Sequence, residues 1–224
     1  MNFLQFEKYL SDQCKKHNVE FVVSQKTRVF YQDTTCNGFF ESHYPINYSF
    51  ESITNGIFPQ LLEDNHSLNP VLAAAKGGKT DIEFYSLLAH EYSHLCQFFE
   101  KSKYWPTKQN FEDWESIFST TPTPNHQIAW EKIVMVEADC EMRVIQLIND
   151  LSLEIDTTKY AQAANSYLYF YTWCLKNKKW YTTAPYEIPA IVNLMPNTLL
   201  ASPEEYTKII LNDELNSLFD RCSS

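Results

Sequence analysis

The residues of this chain whose types and spacing could carry chemistry are His90-Glu91-Tyr92-Ser93-His94. Two histidines four apart on a helix project their imidazoles from one face, so both can reach a single tetrahedral Zn2+. The carboxylate after the first histidine then stands beside the coordination position left open for water. On a helical wheel with His90 at zero, Leu87, Phe98, Phe84, Leu95, Leu88 and Phe99 fill an arc from about 60° to about 180°. His94 falls at about 40° and Glu91 at about 100° on the same wheel, so the motif lies on and inside the apolar arc. The solvated face is expected opposite, around Ser86, Ser93 and Gln97. A carboxylate set among Phe and Leu is costly unless a cation accompanies it, and a metal supplies that cation.

A catalytic zinc takes three protein ligands and keeps a fourth position for water, so a third ligand must come from elsewhere in the chain. The segment Val134 to Glu141 contains three acids. With Glu137 at zero, Trp130, Ile133, Val134, Cys140, Val144 and Ile148 cluster within about 60°, and Glu141 lies about 40° away. Asp139 falls near about 200°, with Lys132, Arg143 and Gln146. Two glutamates thus occupy an apolar stripe, and the aspartate a solvated face. Ligating histidines usually donate their second ring nitrogen to a carboxylate or carbonyl, so we assign Glu137 to the metal and Glu141 to orienting a histidine. Spacing along one helix leaves the reverse assignment open. Zinc lowers the pKa of a bound water towards neutrality, and Glu91 is placed to take that proton and pass it to a leaving amine, which is amide hydrolysis. His126, Tyr160, Tyr167, Tyr181 and Tyr186 are available as donors to a developing oxyanion, and no spacing rule chooses among them.

The elements that must position these groups read as follows. Phe3 to Lys16 has helical spacing of apolar residues at Phe3, Phe6, Leu10 and Cys14. Val19 to Ser24, Thr27 to Tyr31 and Gly38 to Ser42 are short β-branched and aromatic runs between polar turns, which predicts a small antiparallel meander. Tyr44 to Lys79 reads as irregular, with a short helix around Val71 to Ala75. Thr80-Asp81-Ile82-Glu83 fits a capping box that opens the motif helix, which runs to about Glu100. Lys101 to Asn125 is a connection with a short helix at Phe111 to Phe118. Gln127 to Asp150 and Thr158 to Asn177 are long helices. The stretch with Pro185, Pro189 and Pro196 is irregular, and Ser202-Pro203-Glu204-Glu205 opens a last helix to about Asp220.

Composition bounds the rest. A chain of 224 residues, 44% hydrophobic with four glycines, fits one packed α+β, helix-rich domain over residues 1–224. A formal net charge of -10 and the lack of any Lys/Arg-rich run argue against nucleic acid and anionic membrane as partners. The amino-terminal segment has no continuous apolar stretch, and no later segment is long enough to span a bilayer, which predicts a cytoplasmic protein. Six scattered cysteines are expected to be free thiols.

The residues around His90, His94 and Glu137 resemble those of a gluzincin, the metallopeptidase class in which H-E-x-x-H on one helix is completed by a glutamate on a later helix. That resemblance implies Zn2+ as cofactor, Glu91 as general base and a protein or peptide substrate. It also implies a zincin-like core in which a small antiparallel sheet lies beside an active-site helix and a glutamate-bearing helix. The acid segment reads Glu-x-x-x-Glu here, where the thermolysin-like pattern is Glu-x-x-x-Asp. Asn165-Ser166-Tyr167-Leu168 and Lys179-Trp180-Tyr181 resemble, in addition, small phage-encoded H-E-x-x-H proteins, which implies the host cytoplasm as location. Two alternatives stand beside this reading. One is a deformylase-like amidohydrolase with the upstream Cys36 as third ligand, although the glycine-rich segments of such enzymes are missing. The other is a binding or regulatory module on a zincin scaffold, against which Glu91 counts, since a structural zinc needs no general base.

Overall fold

The computed structural model describes residues 1–31, 34–45, 50–56 and 68–223. Part of the stretch expected to be irregular, 46–49 and 57–67, lies outside the described residues. The described chain is α+β and helix-rich, and it forms two compact units, Met1–Glu100 with Gln146–Ile155, and Lys101–Ile145 with Asp156–Ser224.

The first unit begins with α1 (Phe3–Lys16), started by a capping box in which the Asn2 side chain accepts from Gln5 N and the Gln5 side chain accepts from Asn2 N. Its Phe6, Leu10 and Cys14, each one helical turn apart, are fully buried. Then follow β1 (Glu20–Ser24), β2 (Val29–Tyr31), β3 (Thr34–Cys36), β4 (Gly38–Pro45), α2 (Phe50–Asn55), β5 (Leu68–Ala75) and α3 (Asp81–Phe99). The sheet is mixed, in the order β1-β5-β4, with β1 parallel and β4 antiparallel to β5. This corrects the antiparallel meander, and the reason is β5, which the sequence reading made a helix. Alanine favours helix intrinsically, yet Val71 to Ala75 are all buried in the central strand. A strand covered on both faces needs small apolar side chains more than high β propensity. β2 and β3 pair only with each other as an antiparallel hairpin among the described residues.

α3 starts as expected, with Thr80 Oγ1 accepting from Glu83 N at 3.2 Å and Glu83 Oε2 accepting from Thr80 N at 2.7 Å. It packs on β4 and β5, and α1 is held against it by Phe3 stacked on Tyr85 at 4.5 Å. The wheel's solvated face does not exist as drawn: Ser93 and Gln97 are buried, Ser93 through a hydrogen bond from its hydroxyl to Ala89 O at 2.8 Å. α3 is covered around most of its circumference.

The second unit contains α4 (Lys108–Glu115), a 3-10 turn at Ser116–Phe118, most of α5 (His126–Asp150), α6 (Thr157–Asn177), α7 (Pro189–Val192), α8 (Pro203–Tyr206) and α9 (Asp213–Cys222). Its core joins Trp130, Ile133 and Val134 of α5 to Leu168, Phe170 and Tyr171 of α6 and Phe219 of α9. The Trp130 indole donates to Tyr171 O at 2.9 Å, and the Trp173 indole to Asp220 Oδ1 at 3.1 Å. The expected last helix from Ser202 is instead two: Ser202 makes no side-chain cap, α8 stops after one turn, and Asn212 caps α9 by accepting from Leu215 N. None of the six cysteines is joined in a disulfide, and no helix among the described residues is long and apolar enough to cross a membrane.

Candidate metal centre

α3 carries His90, Glu91 and His94 on the stretch that packs against the sheet. Glu91 is buried, as the wheel required, and it lies directly over Gly38 of β4. A Cβ on Gly38 would stand 3.1 Å from Glu91 Oε1, 3.2 Å from its Cγ and 2.9 Å from Ala73 O. Only a residue without a side chain lets strand and carboxylate approach this closely. The neighbouring Cys36 thiol is pushed up to about 12, first by burial and next by the negative charge of Glu91.

The two imidazoles are oriented for a shared ion. His90 Nε2 and His94 Nε2 lie 3.1 Å apart, and their rings meet edge to face at 4.7 Å between centroids. Two nitrogens at the usual Zn–N distance from one tetrahedral ion are about 3.3 Å apart, so the pair already has nearly the spacing that zinc demands. His94 Nδ1 lies 2.8 Å from Gln97 Oε1. Both rings are half-buried, which permits access.

His90, His94 and Cys140 each offer one ligand atom, and the three atoms lie within 4.8 Å of one another, a group that could hold a metal ion. Two nitrogens and a thiolate suit zinc. Cys140 is fully buried. From sequence it belongs to the apolar stripe of α5. Its signal was present, since a residue three after Glu137 shares that glutamate's helix face. Cys36 is not in the group.

The two acids of α5 differ in surroundings. Glu141 is buried and accepts a short hydrogen bond from the Tyr160 hydroxyl. Glu137 is half-buried opposite the tyrosines of α6. The phenols of Tyr160, Tyr167 and Tyr171 are raised well above their ordinary value by burial first, and the charge of Glu137 adds to each. They therefore stay protonated as hydrogen-bond donors. Tyr167 and Tyr171 share a hydroxyl contact of 2.9 Å. Of the other donors open from sequence, His126 Nδ1 lies 2.6 Å from Thr123 O at the start of α5, Tyr181 meets Trp180 in a tilted ring contact at 5.0 Å and Tyr186 is exposed. Asp139 departs from expectation: its side chain is only 17% exposed, accepting from Arg143 Nε at 2.9 Å and from Ser102 Oγ at 3.3 Å. It is a structural ion pair and not a solvated acid. No protein-family model, curated protein or solved structure matches the chain.

Proposed function

We propose that this chain is a zinc-dependent hydrolase of peptide bonds, similar to gluzincins, acting on a protein or peptide substrate in the cytoplasm. The observation that carries the reading is the pair of Nε2 atoms 3.1 Å apart on one helix with a buried carboxylate beside the first. His90 and His94 are two ligands. The third comes from α5. Glu137 is the ligand on the gluzincin pattern, with Glu141 in support; the grouping of Cys140 with both histidines favours a second reading in which its thiolate takes that place. When bound, the ion would polarise the substrate carbonyl and acidify a water.

The chain's own residues do the rest. Glu91, pressed against Gly38 in an apolar setting, takes the water's proton and delivers it to the departing amine. Burial keeps that carboxylate from being solvated away from its task. The test compares zinc-loaded wild type and Glu91→Gln on a broad peptide library, with metal measured on the same samples. The amide is nearly isosteric and cannot shuttle a proton, so zinc is retained while cleavage falls by about 10²-fold or more. Equal cleavage by both proteins contradicts the mechanism. Zinc bound by both with cleavage by neither favours the binding-module alternative.

A further inference from the structure

We infer that Gln97 fixes the tautomer of His94 and so aims its Nε2 lone pair at the ion. The inference deepens the metal-site reading above and rests on it for its consequence, though its geometry stands within α3 alone. Gln97 is completely buried, three residues after His94 and on the same side of the helix. Its Oε1 is 2.8 Å from His94 Nδ1. An amide oxygen can only accept, so Nδ1 carries the proton and Nε2 is left bare. With Nε2 bare, the 3.1 Å contact to His90 Nε2 is one in which His90 donates, and ligation by both rings requires His90 to give up that proton to solvent and take one at Nδ1.

Gln97 is thus a positioning residue, acting on the metal through His94. A neutral amide raises the basicity of the imidazole less than a carboxylate does. The sequence pattern of this metallopeptidase class directs attention to acids on the later helix for such a role, whereas here the partner lies on the motif helix itself, at a position the wheel assigned to solvent.

Three measurements on wild type, Gln97→Met and Gln97→Glu test this. The first is histidine side-chain nitrogen NMR of the metal-free proteins, in which His94 is the Nδ1–H tautomer in wild type and loses that preference in Gln97→Met. The second is zinc affinity by competition with a chromophoric chelator, in which Gln97→Met binds about 10- to 100-fold more weakly and Gln97→Glu binds at least as tightly as wild type. The third is the thermal midpoint of each metal-free protein, which separates loss of orientation from loss of fold. An Nε2–H tautomer at His94 in wild type, or undiminished zinc affinity in a folded Gln97→Met, overturns the inference. If Gln97→Met does not fold, Gln97→Glu decides, and weaker binding by that folded variant overturns it. A wild type with the Nδ1–H tautomer and no zinc affinity overturns the metal-site reading and leaves the assignment of the His94 proton standing.

Discussion

At the scale of single residues, two imidazole nitrogens of α3 are grouped with Cys140 of α5 as atoms that could hold a metal ion, and Glu137 shares the helix face of Cys140. The two candidates have different chemical signatures. Thiolate bound to cobalt gives an intense charge-transfer absorption in the near ultraviolet, and carboxylate does not. If Cys140 is the ligand, the cobalt-loaded protein shows that band, Cys140→Ser loses it together with most of the metal, and Glu137→Gln keeps both. If Glu137 is the ligand, the band is absent and Glu137→Gln is the variant that loses metal. The grouping of Cys140 with the histidines predicts the first pattern; a cobalt protein without the band contradicts it. Tyr160 has a role of its own, since its neutral phenol supplies a hydrogen bond that the buried Glu141 carboxylate needs.

At the scale of elements, α6 is locked to the proline-rich segment after it by one buried side chain. Asn165 is fully buried, donating to Pro196 O and Thr198 O at 2.9 Å each and accepting from the Tyr206 hydroxyl at 2.7 Å. Asn165→Ala removes all three bonds, taking this donor from two carbonyls and leaving the Tyr206 hydroxyl with its bond from Leu200 N at 3.0 Å, and the expected loss is about 2–4 kcal/mol of unfolding free energy by urea titration. A change under about 0.5 kcal/mol contradicts that role. The elements legible in the sequence were those with several concordant local signals. α1, α3, α5 and α6 each combine apolar periodicity with length, and α3 adds a cap that the structure reproduces. β5 was illegible because its alanines state a local preference that burial on both faces overrides. The covered side of α3 was illegible for a related reason: Ser93 and Gln97 are polar by type but satisfied internally, by Ala89 O and by His94. Ser202 has the residue type of a cap but extended geometry without the bond, so composition at one turn could not tell a short helix from a long one. The histidines and Glu91 were read from spacing, while Cys140 was hidden by the default that a cysteine in an apolar stripe is packing.

At the scale of the whole molecule, free thiols buried in both units tie stability to alkaline pH. Burial pushes Cys14, Cys36 and Cys174 up to about 12, and Cys222 to about 11, from an ordinary value of 9.0. Below about pH 9 a cysteine is protonated whether the chain is folded or not, and the folded state loses nothing. Above it the unfolded chain releases the proton while the folded one retains it, so stability falls as pH rises towards 12. For the fully buried Cys14 the slope is about 1.4 kcal/mol per pH unit. Urea titrations of the protein at about pH 8.5, 9.5 and 10.5, which span the ordinary thiol range, are expected to show the decline, and Cys14→Ala to show a shallower one. Identical slopes contradict that assignment. Whether His90 and His94 hold a metal, on which the proposed hydrolysis depends, is tested most directly by elemental analysis of purified wild type and the His90→Ala/His94→Ala double variant after zinc loading and dialysis. About one zinc per wild-type chain and none in the folded double variant is the expected result; stoichiometric zinc retained without the two histidines contradicts metal binding at this pair.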